Sequence, residues 1–240
     1  MKKFFRYAAG FFKILLTAFF FYLLTLIFPD VFFRLEKVEN LYLYHHSEPE
    51  KVRAVGEKAL AKIKRSSLYN PDAVYRVYLT SSPGEYAYFT NFWRKTGGVF
   101  VILANGNIFI RPSLIEEDRV IGPSGKVVAE DRPLNYFIAH EAAHAMTLEK
   151  LGTTKYLALN EWIREGYADK IGRDRFDFDE MFSAYQKQMP FMDRQKSGLY
   201  LKHQLLIEFA LSHKGFDIES LLEQNPGEAE TEAELKQLVK

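Results

Sequence analysis

The segment His140-Glu141-Ala142-Ala143-His144 decides the fold of this 240-residue chain. Residues four positions apart lie on the same face of an α-helix, so His140 and His144 can face one metal ion from a single helix. Glu141 is rotated by roughly 100° from His140, which places its carboxylate near the metal without making it a ligand. The spacing therefore predicts a metal site with two imidazole ligands and a neighbouring carboxylate that can accept a proton.

The residues around this segment are typical of a helix. Asp131 is a candidate N-cap, Pro133 fits the first helical turn, and Gly152 fits the C-terminal end. Several side chains between them are apolar and suited to burial: Phe137, Ile138, Ala142, Ala145 and Met146. We therefore expect one buried helix to carry both histidines.

A second segment follows, Trp162-Ile163-Arg164-Glu165-Gly166-Tyr167-Ala168-Asp169. Asn160 can cap a helix here, which would put Glu161, Glu165 and Asp169 on one face. Catalytic zinc usually takes three protein ligands and leaves one position for water, so Glu165 and Glu161 are both candidates for the third ligand. A solvated acidic stripe is the alternative, but the tryptophan and the other apolar side chains indicate a largely buried helix.

The two segments together, H-E-x-x-H followed by W-x-x-E-G-x-A, resemble the gluzincin metallopeptidases, which include thermolysin and the thermolysin-like aminopeptidases. The resemblance covers residues 135–169 and implies that Glu165 is the third zinc ligand and that Asp169 hydrogen-bonds His140. It also implies a zincin-like α+β fold, a Zn²⁺ cofactor and a peptide or protein substrate. The chain has no G-x-M-E-N segment, the motif that binds the substrate amine in the aminopeptidases, so aminopeptidase specificity is not implied.

The expected reaction is hydrolysis of a peptide bond by a zinc-bound water that Glu141 activates. In the families resembled, a tyrosine or histidine after the third ligand stabilises the oxyanion. Tyr200 and His203 share a helix face in that region and form the preferred pair, with Tyr185 and His213 as further candidates. For each of these residues, a purely structural role is the alternative.

The N-terminal part of the chain predicts a membrane anchor. Residues 14–28, ILLTAFFFYLLTLIF, carry no charge, and a helix that spans a bilayer needs about 20 residues. Four basic residues precede this stretch: Lys2, Lys3, Arg6 and Lys13. The positive-inside rule then places the N-terminus in the cytoplasm and the remainder outside it, in the periplasm or at the cell surface if the source is bacterial. A cleaved signal peptide and a buried soluble helix are the alternatives, although residues 28–33 contain no small-x-small cleavage site.

These observations predict two parts, an N-terminal basic segment with a single-pass anchor in residues 1–34 and a zincin-like catalytic domain in residues 35–240. The net charge of +1 gives no reason to propose a nucleic-acid partner. The absence of cysteine excludes disulfides and thiolate metal ligands. The substrates would be exported or envelope polypeptides. Two other classes stay open: a non-catalytic zinc-binding or substrate-capturing module, and a membrane-anchored interaction protein with an accidental motif.

A small mixed sheet is expected before the metal-binding helices. The chain predicts a helix over residues 47–65 with a capping box at its start, a strand over 74–80, and a hairpin over 99–111 around Asn105-Gly106. By the resemblance, that hairpin would hold an extended substrate backbone. His45 and His46 are expected at the surface near the membrane. Later segments are expected to be helical, at residues 178–189, 198–212 and 218–223, with a solvated helix or frayed end from 224 onward.

Overall fold

A computed structural model describes residues 2–90, 96–102, 106–129 and 131–239. It shows a mixed α+β architecture, in agreement with the α+β class predicted from the sequence. An N-terminal helix leads into a five-stranded sheet, and the helices that carry the two sequence segments follow that sheet in the chain. The predicted order, a small sheet before the helices that carry the two motifs, is confirmed.

The five-stranded sheet has the order β1-β2-β3-β5-β4. Its strands are β1 (Arg34–Val38), β2 (Leu41–His45), β3 (Tyr75–Leu79), β4 (Gly98–Val101) and β5 (Asn107–Ile110). The β2–β3 and β3–β5 pairs are parallel, whereas β1–β2 and β4–β5 are antiparallel. A separate two-stranded ribbon consists of β6 (Ser113–Leu114) and β7 (Arg119–Val120). Strand β4 is therefore an edge of the described sheet, and its hairpin with β5 was predicted, although the turn residues 103–105 lie outside the described residues.

The helices of the described chain run from the N-terminal segment to the C-terminal tail. They are α1 (Lys2–Ile27), α2 (Pro49–Ile63), α3 (Pro83–Phe89), α4 (Leu134–Leu157), α5 (Glu161–Gly172), α6 (Phe178–Gln186), α7 (Arg194–Ser197), α8 (Leu201–Ser212), α9 (Ile218–Gln224) and α10 (Glu228–Leu235). Helix α4 is interrupted at Gly152, whose φ of +71° is left-handed, so the predicted stop at this glycine is a kink between two helical parts. The predicted tail helix is α10, and it is partly buried through Thr231 and Leu235.

The two faces of the sheet pack against different partners. Because successive side chains of a strand point to opposite faces, β3 sends Val77 into the main core with α2, α4 and α5, and Tyr78 to the other side. On that other side, Tyr78 stacks between Tyr44 and Phe109, at centroid distances of 4.5 and 5.1 Å. The main core thus lies between the sheet and the helices that carry the two motifs.

Helix α1 is long and apolar enough to cross a membrane, since the 18 residues Gly10–Ile27 carry few charges and none of that stretch is buried in the protein. A signal sequence near the N-terminus would satisfy the same criteria. The C-terminal end of α1 is attached to the domain. Asn107 donates from Nδ2 to the carbonyl oxygen of Leu26 at 3.1 Å, and the Tyr22 hydroxyl donates to the carbonyl oxygen of Tyr88 at 2.7 Å.

Two predicted helix starts are wrong in detail. Pro133, and not Asp131, occupies the N-cap position of α4, and Asp131 instead pairs with Arg173 at 2.9 Å. Glu48, and not Ser47, precedes the first residue of α2, and no side chain caps that helix. In both cases a proline at or next to the start fixes the backbone, so a side-chain cap is not needed to begin the helix.

The expectation that His45 is a surface residue is wrong. His45 ends strand β2 and is completely buried, whereas the neighbouring His46 is partly exposed and contacts Glu85 at 2.8 Å. The reason is that the chain enters the sheet directly after the anchor, through strands β1 and β2, which were not predicted. Both faces of β2 are covered, so Leu43, Tyr44 and His45 are all buried, whereas His46 lies just beyond the end of the strand and is exposed.

Candidate metal centre

Helices α4 and α5 pack against each other and bring the two motifs together. Nε2 of His140 and Nε2 of His144 each lie 3.6 Å from Oε2 of Glu165. The three potential ligand atoms lie within 4.8 Å of one another. Both histidines are buried and the Glu165 side chain is only 12% exposed, so this His-His-Glu group faces inward and can bind a metal ion.

The distances from Glu165 to the two histidines fit a small tetrahedral metal ion. Bonds of about 2.0–2.1 Å at tetrahedral angles place ligand atoms roughly 3.3–3.5 Å apart, close to the observed 3.6 Å. Nδ1 of His140 faces Asp169, which leaves Nε2 available for a metal. Oε1 of Glu165 contacts Nε of Arg164 at 3.2 Å, which leaves Oε2 facing the histidines. The donor set of two imidazoles and one carboxylate therefore fits a divalent transition metal.

Glu141 lies beside this group, in the wall of the same cavity. That cavity has a volume of about 730 Å³ and also contains His140, His144 and Glu165 in its lining. Strand β4 passes directly over the Glu141 carboxylate, since a Cβ atom on Gly98 would lie 2.8 Å from Oε1. Burial raises the pKa of Glu141 to about 7, although His140 and a backbone hydrogen bond from Phe100 act in the opposite direction. Its carboxylate is thus fixed next to the metal group by the edge strand.

Asp169 connects His140 to a network that the sequence did not reveal. The fully buried carboxylate lies 3.1 Å from Nδ1 of His140, accepts a hydrogen bond from the Tyr136 hydroxyl, and lies 3.3 Å from Nε and Nη2 of Arg173. Burial alone would raise the pKa of Asp169, but His140 and Arg173 hold it below its usual value. The aspartate is therefore stabilised as an anion beside the imidazole. The Asp169 position was predicted, whereas Tyr136 and Arg173 were missed.

The pKa shifts of the three candidate ligands differ from one another. Burial lowers the pKa of His144 to about 4. Burial would also lower the pKa of His140, but contacts with Asp169 and Glu165 raise it instead. Burial would raise the pKa of Glu165, but the two histidines hold it well below its usual value. A metal ligand must be deprotonated, and these directions already keep His144 neutral and Glu165 anionic.

Glu161, the alternative third ligand, does not join the His-His-Glu group in the described structure. It lies at the start of α5, one turn before Glu165, and forms an ion pair with Arg194. Its side chain is 46% exposed, compared with 12% for Glu165. Glu161 still contributes to the lining of the cavity, at some distance along the helix from the histidines.

The two preferred oxyanion candidates lie in different places. The Tyr200 ring stacks 6.3 Å from the His140 ring and lines the cavity. The His203 ring lies 5.6 Å from the Tyr200 ring, and His203 lines a neighbouring pocket instead of this cavity. Its Nε2 lies 3.6 Å from Oε1 of Glu228, so the structure does not bring His203 to the metal group. The approach of α8 to α5 requires Gly166, because a Cβ there would lie 2.5 Å from the carbonyl oxygen of His203.

The remaining two candidates also lie away from the cavity lining. Tyr185 donates its hydroxyl hydrogen to Oε1 of Glu232 at 2.5 Å, and His213 stacks against Phe178 at 4.7 Å. Tyr156, which was missed, lines the cavity and has its ring 6.5 Å from that of His144. It follows the kink at Gly152 in α4. A tyrosine close after the first motif, beyond a helix-breaking glycine, was the signal that could have identified it.

Comparisons of the chain with known protein families, with curated proteins and with solved structures find no match. The side chains around the His-His-Glu group are therefore the basis on which a function is assigned.

Proposed function

We propose that this chain is a membrane-anchored zinc metallopeptidase with a zincin-like catalytic domain. Its ligands would be His140, His144 and Glu165, and its general base Glu141. The observation that carries the proposal is a three-atom metal group beside a buried carboxylate that is not one of the ligands. A purely structural zinc site has no use for such a carboxylate. The resemblance to gluzincins supports the same assignment.

A zinc ion at this site would polarise the scissile carbonyl and lower the pKa of its bound water. Glu141 accepts the proton of the attacking water and delivers it to the leaving nitrogen, since one carboxylate can serve both steps. The backbone of Phe100 orients this carboxylate. Tyr200 and Tyr156 line the cavity close to the histidines, and a hydroxyl from one of them can donate to the developing oxyanion.

Strand β4 is the proposed binding surface for the substrate backbone. It is an edge of the described sheet and lines the cavity through Gly98, Val99 and Phe100. An extended peptide can add to such an edge by main-chain hydrogen bonds. Gly97 and Gly98 leave no side chain between the strand and helix α4, since a Cβ at either position would collide with Phe137 or Glu141. The scissile bond would therefore lie between β4 and the metal ligands.

We further propose that α1 is an uncleaved anchor with its N-terminus in the cytoplasm. Four basic residues precede the apolar stretch, which fits the positive-inside rule. The contacts of Asn107 and Tyr22 at the end of α1 would keep the domain close to the bilayer. The substrates would then be exported or membrane-proximal polypeptides.

The decisive experiment uses the full-length chain in lipid nanodiscs. Metal analysis should find one zinc per chain, and casein should be cleaved. Glu141→Gln should retain the zinc and the fold but lose activity by about 10²–10⁴-fold or more, as expected for a general acid–base residue.

Iron in place of zinc, or undiminished cleavage by Glu141→Gln, would contradict the proposal. Zinc binding without cleavage by the wild type would favour a substrate-capturing module, and absence of metal an accidental motif.

A further inference from the structure

Four arginines line the same cavity as the metal group: Arg132, Arg164, Arg173 and Arg194. Three of them already have carboxylate partners within the chain. These ion pairs join Arg164 to Glu165 at 3.2 Å, Arg173 to Asp131 at 2.9 Å and to Asp169 at 3.3 Å, and Arg194 to Glu161. The described structure thus neutralises three of the four guanidinium groups locally.

Arg132 is different from the other three. Within the described ranges, no carboxylate lies in ion-pair distance of its guanidinium, and its Nε atom is buried with no hydrogen-bond partner. Buried polar groups in proteins nearly always have a partner. A guanidinium presents several N–H donors in a planar fork that matches a carboxylate. An arginine of this kind in a cavity wall is suited to an anionic ligand that comes from outside the chain.

The position of Arg132 relates it to the proposed scissile bond. Arg132 lies two residues before Leu134, the first residue of α4, and a rise of about 1.5 Å per residue places His140 roughly 9 Å along the helix axis from Leu134. An extended peptide covers about 3.3 Å per residue. Since Arg132 lies two residues before Leu134, a carboxylate held by Arg132 would lie at least about three residues from the bond that is cleaved.

The net charge of the cavity points to the same ligand. With a divalent ion bound, the cavity would hold more positive than negative charge. The ion and the four arginines would carry the positive charge, and five described carboxylates would carry the negative charge. Those carboxylates belong to Asp131, Glu141, Glu161, Glu165 and Asp169. A cavity with excess charge of one sign concentrates ligands of the opposite sign.

We propose that Arg132 is a specificity-determining residue that binds a carboxylate of the polypeptide substrate, at least about three residues from the scissile bond. The carboxylate is either an acidic side chain or the C-terminal α-carboxylate. This inference rests on the proposed peptidase function, because it places the carboxylate relative to the cleaved bond. It identifies the preferred substrates as polypeptides with a negative charge on one side of that bond.

The test measures binding separately from cleavage. Zinc-loaded full-length chain with Glu141→Gln is placed in phosphatidylcholine nanodiscs, and binding of fluorescein-labelled hexapeptides is followed by polarisation. Each peptide of the set carries one glutamate at a different position, and its partner peptide has glutamine at that position. One further pair of peptides differs only at the C-terminus, which is an acid in one and an amide in the other. We expect one carboxylate peptide to bind at least about tenfold more tightly than its amide partner. Arg132→Gln should abolish that preference, and Arg175→Gln, at an exposed position outside the cavity lining, should retain it.

The outcomes separate this inference from the peptidase proposal. No preference at any position, or a preference that persists in Arg132→Gln with unchanged zinc content, would overturn the role of Arg132. Casein cleavage by the wild type without a carboxylate preference would overturn this inference alone. A carboxylate preference that depends on Arg132, without cleavage, would retain the binding role and overturn the peptidase. A preferred glutamate would indicate an acidic side chain, and a preferred C-terminal acid would indicate an exopeptidase.

Discussion

Oδ1 of Asp169 lies 3.1 Å from Nδ1 of His140, and the aspartate side chain is completely buried. The same carboxylate is held by Tyr136 and Arg173, so it has little freedom to move. A carboxylate on one imidazole nitrogen fixes the tautomer and turns the other nitrogen toward a metal. In this protein, that other nitrogen is Nε2 of His140, which faces Glu165.

Asp169→Ala should therefore weaken zinc binding by about 10–100-fold without removing any ligand. Asp169→Asn should have a smaller effect on folding, because it preserves the volume of the buried side chain. Zinc affinity can be measured by competition with a chromophoric chelator, with Asp179→Asn on the exposed face of α6 as the control. Wild-type affinity in both Asp169 variants would show that this contact does not orient the ligand.

Tyr200→Phe should lower kcat by about 10²-fold or more, the effect of losing one oxyanion donor, while the zinc content stays constant. The reason is that the Tyr200 ring stacks near His140 in the cavity wall. Tyr185→Phe is the matched control, because that hydroxyl binds Glu232 outside the cavity. If kcat falls in Tyr156→Phe and not in Tyr200→Phe, the oxyanion donor is Tyr156 instead.

The sequence predicted the parts of this site that depend on local spacing. His140 and His144 are one helical turn apart, and Glu165 and Asp169 are again one turn apart, so each pair shares a helix face whatever the rest of the fold does. The pairing of the two faces followed from the resemblance. The structure places these four side chains together, as expected.

The remaining contacts depend on how distant segments pack, and no local pattern encodes them. Tyr136 reaches Asp169 across 33 positions of the chain, and Gly98 lies over Glu141 because β4 is an edge strand beside α4. Strands β1 and β2 were missed although each has five residues, as β3 does, and they follow the anchor directly. Without them, the burial of His45 could not be foreseen.

Glu165→Gln should weaken zinc retention strongly, whereas Glu161→Gln should leave it nearly unchanged. Both residues lie on α5, but only Glu165 is close to the two histidines, and Glu161 is paired with Arg194. The zinc content of both variants after dialysis against a weak chelator provides the comparison. Loss of zinc from Glu161→Gln alone would make the ligand assignment wrong.

The buried His45 should make the stability of the domain depend on pH. Burial lowers the pKa of His45, so the unfolded chain binds a proton more readily than the folded one. The free energy of unfolding should then fall as the pH decreases from about 6.5, the ordinary pKa of histidine, toward the lower pKa of the folded state. Above about pH 6.5, this contribution is constant.

The measurement is urea unfolding of the wild type and of His45→Gln at a series of pH values, with a chelator present in both. As the pH falls below about 6.5, the free energy of unfolding should decrease more in the wild type than in His45→Gln. Other titrating groups, including His203, contribute equally to both proteins and cancel in the difference. A difference that does not vary with pH would contradict the role of His45.

The proposed topology can be tested because the chain has no cysteine, so a single introduced cysteine reports its own location. Ser124→Cys lies in an exposed turn of the domain, and Lys3→Cys lies among the basic residues before the apolar stretch. In intact spheroplasts, a membrane-impermeant maleimide should label Ser124→Cys at once and Lys3→Cys only after permeabilisation. The reverse pattern would place the domain in the cytoplasm. Mature protein that lacks the Lys3→Cys site would identify α1 as a cleaved signal sequence, and the attachment of Leu26 to Asn107 would then not hold the domain at the bilayer.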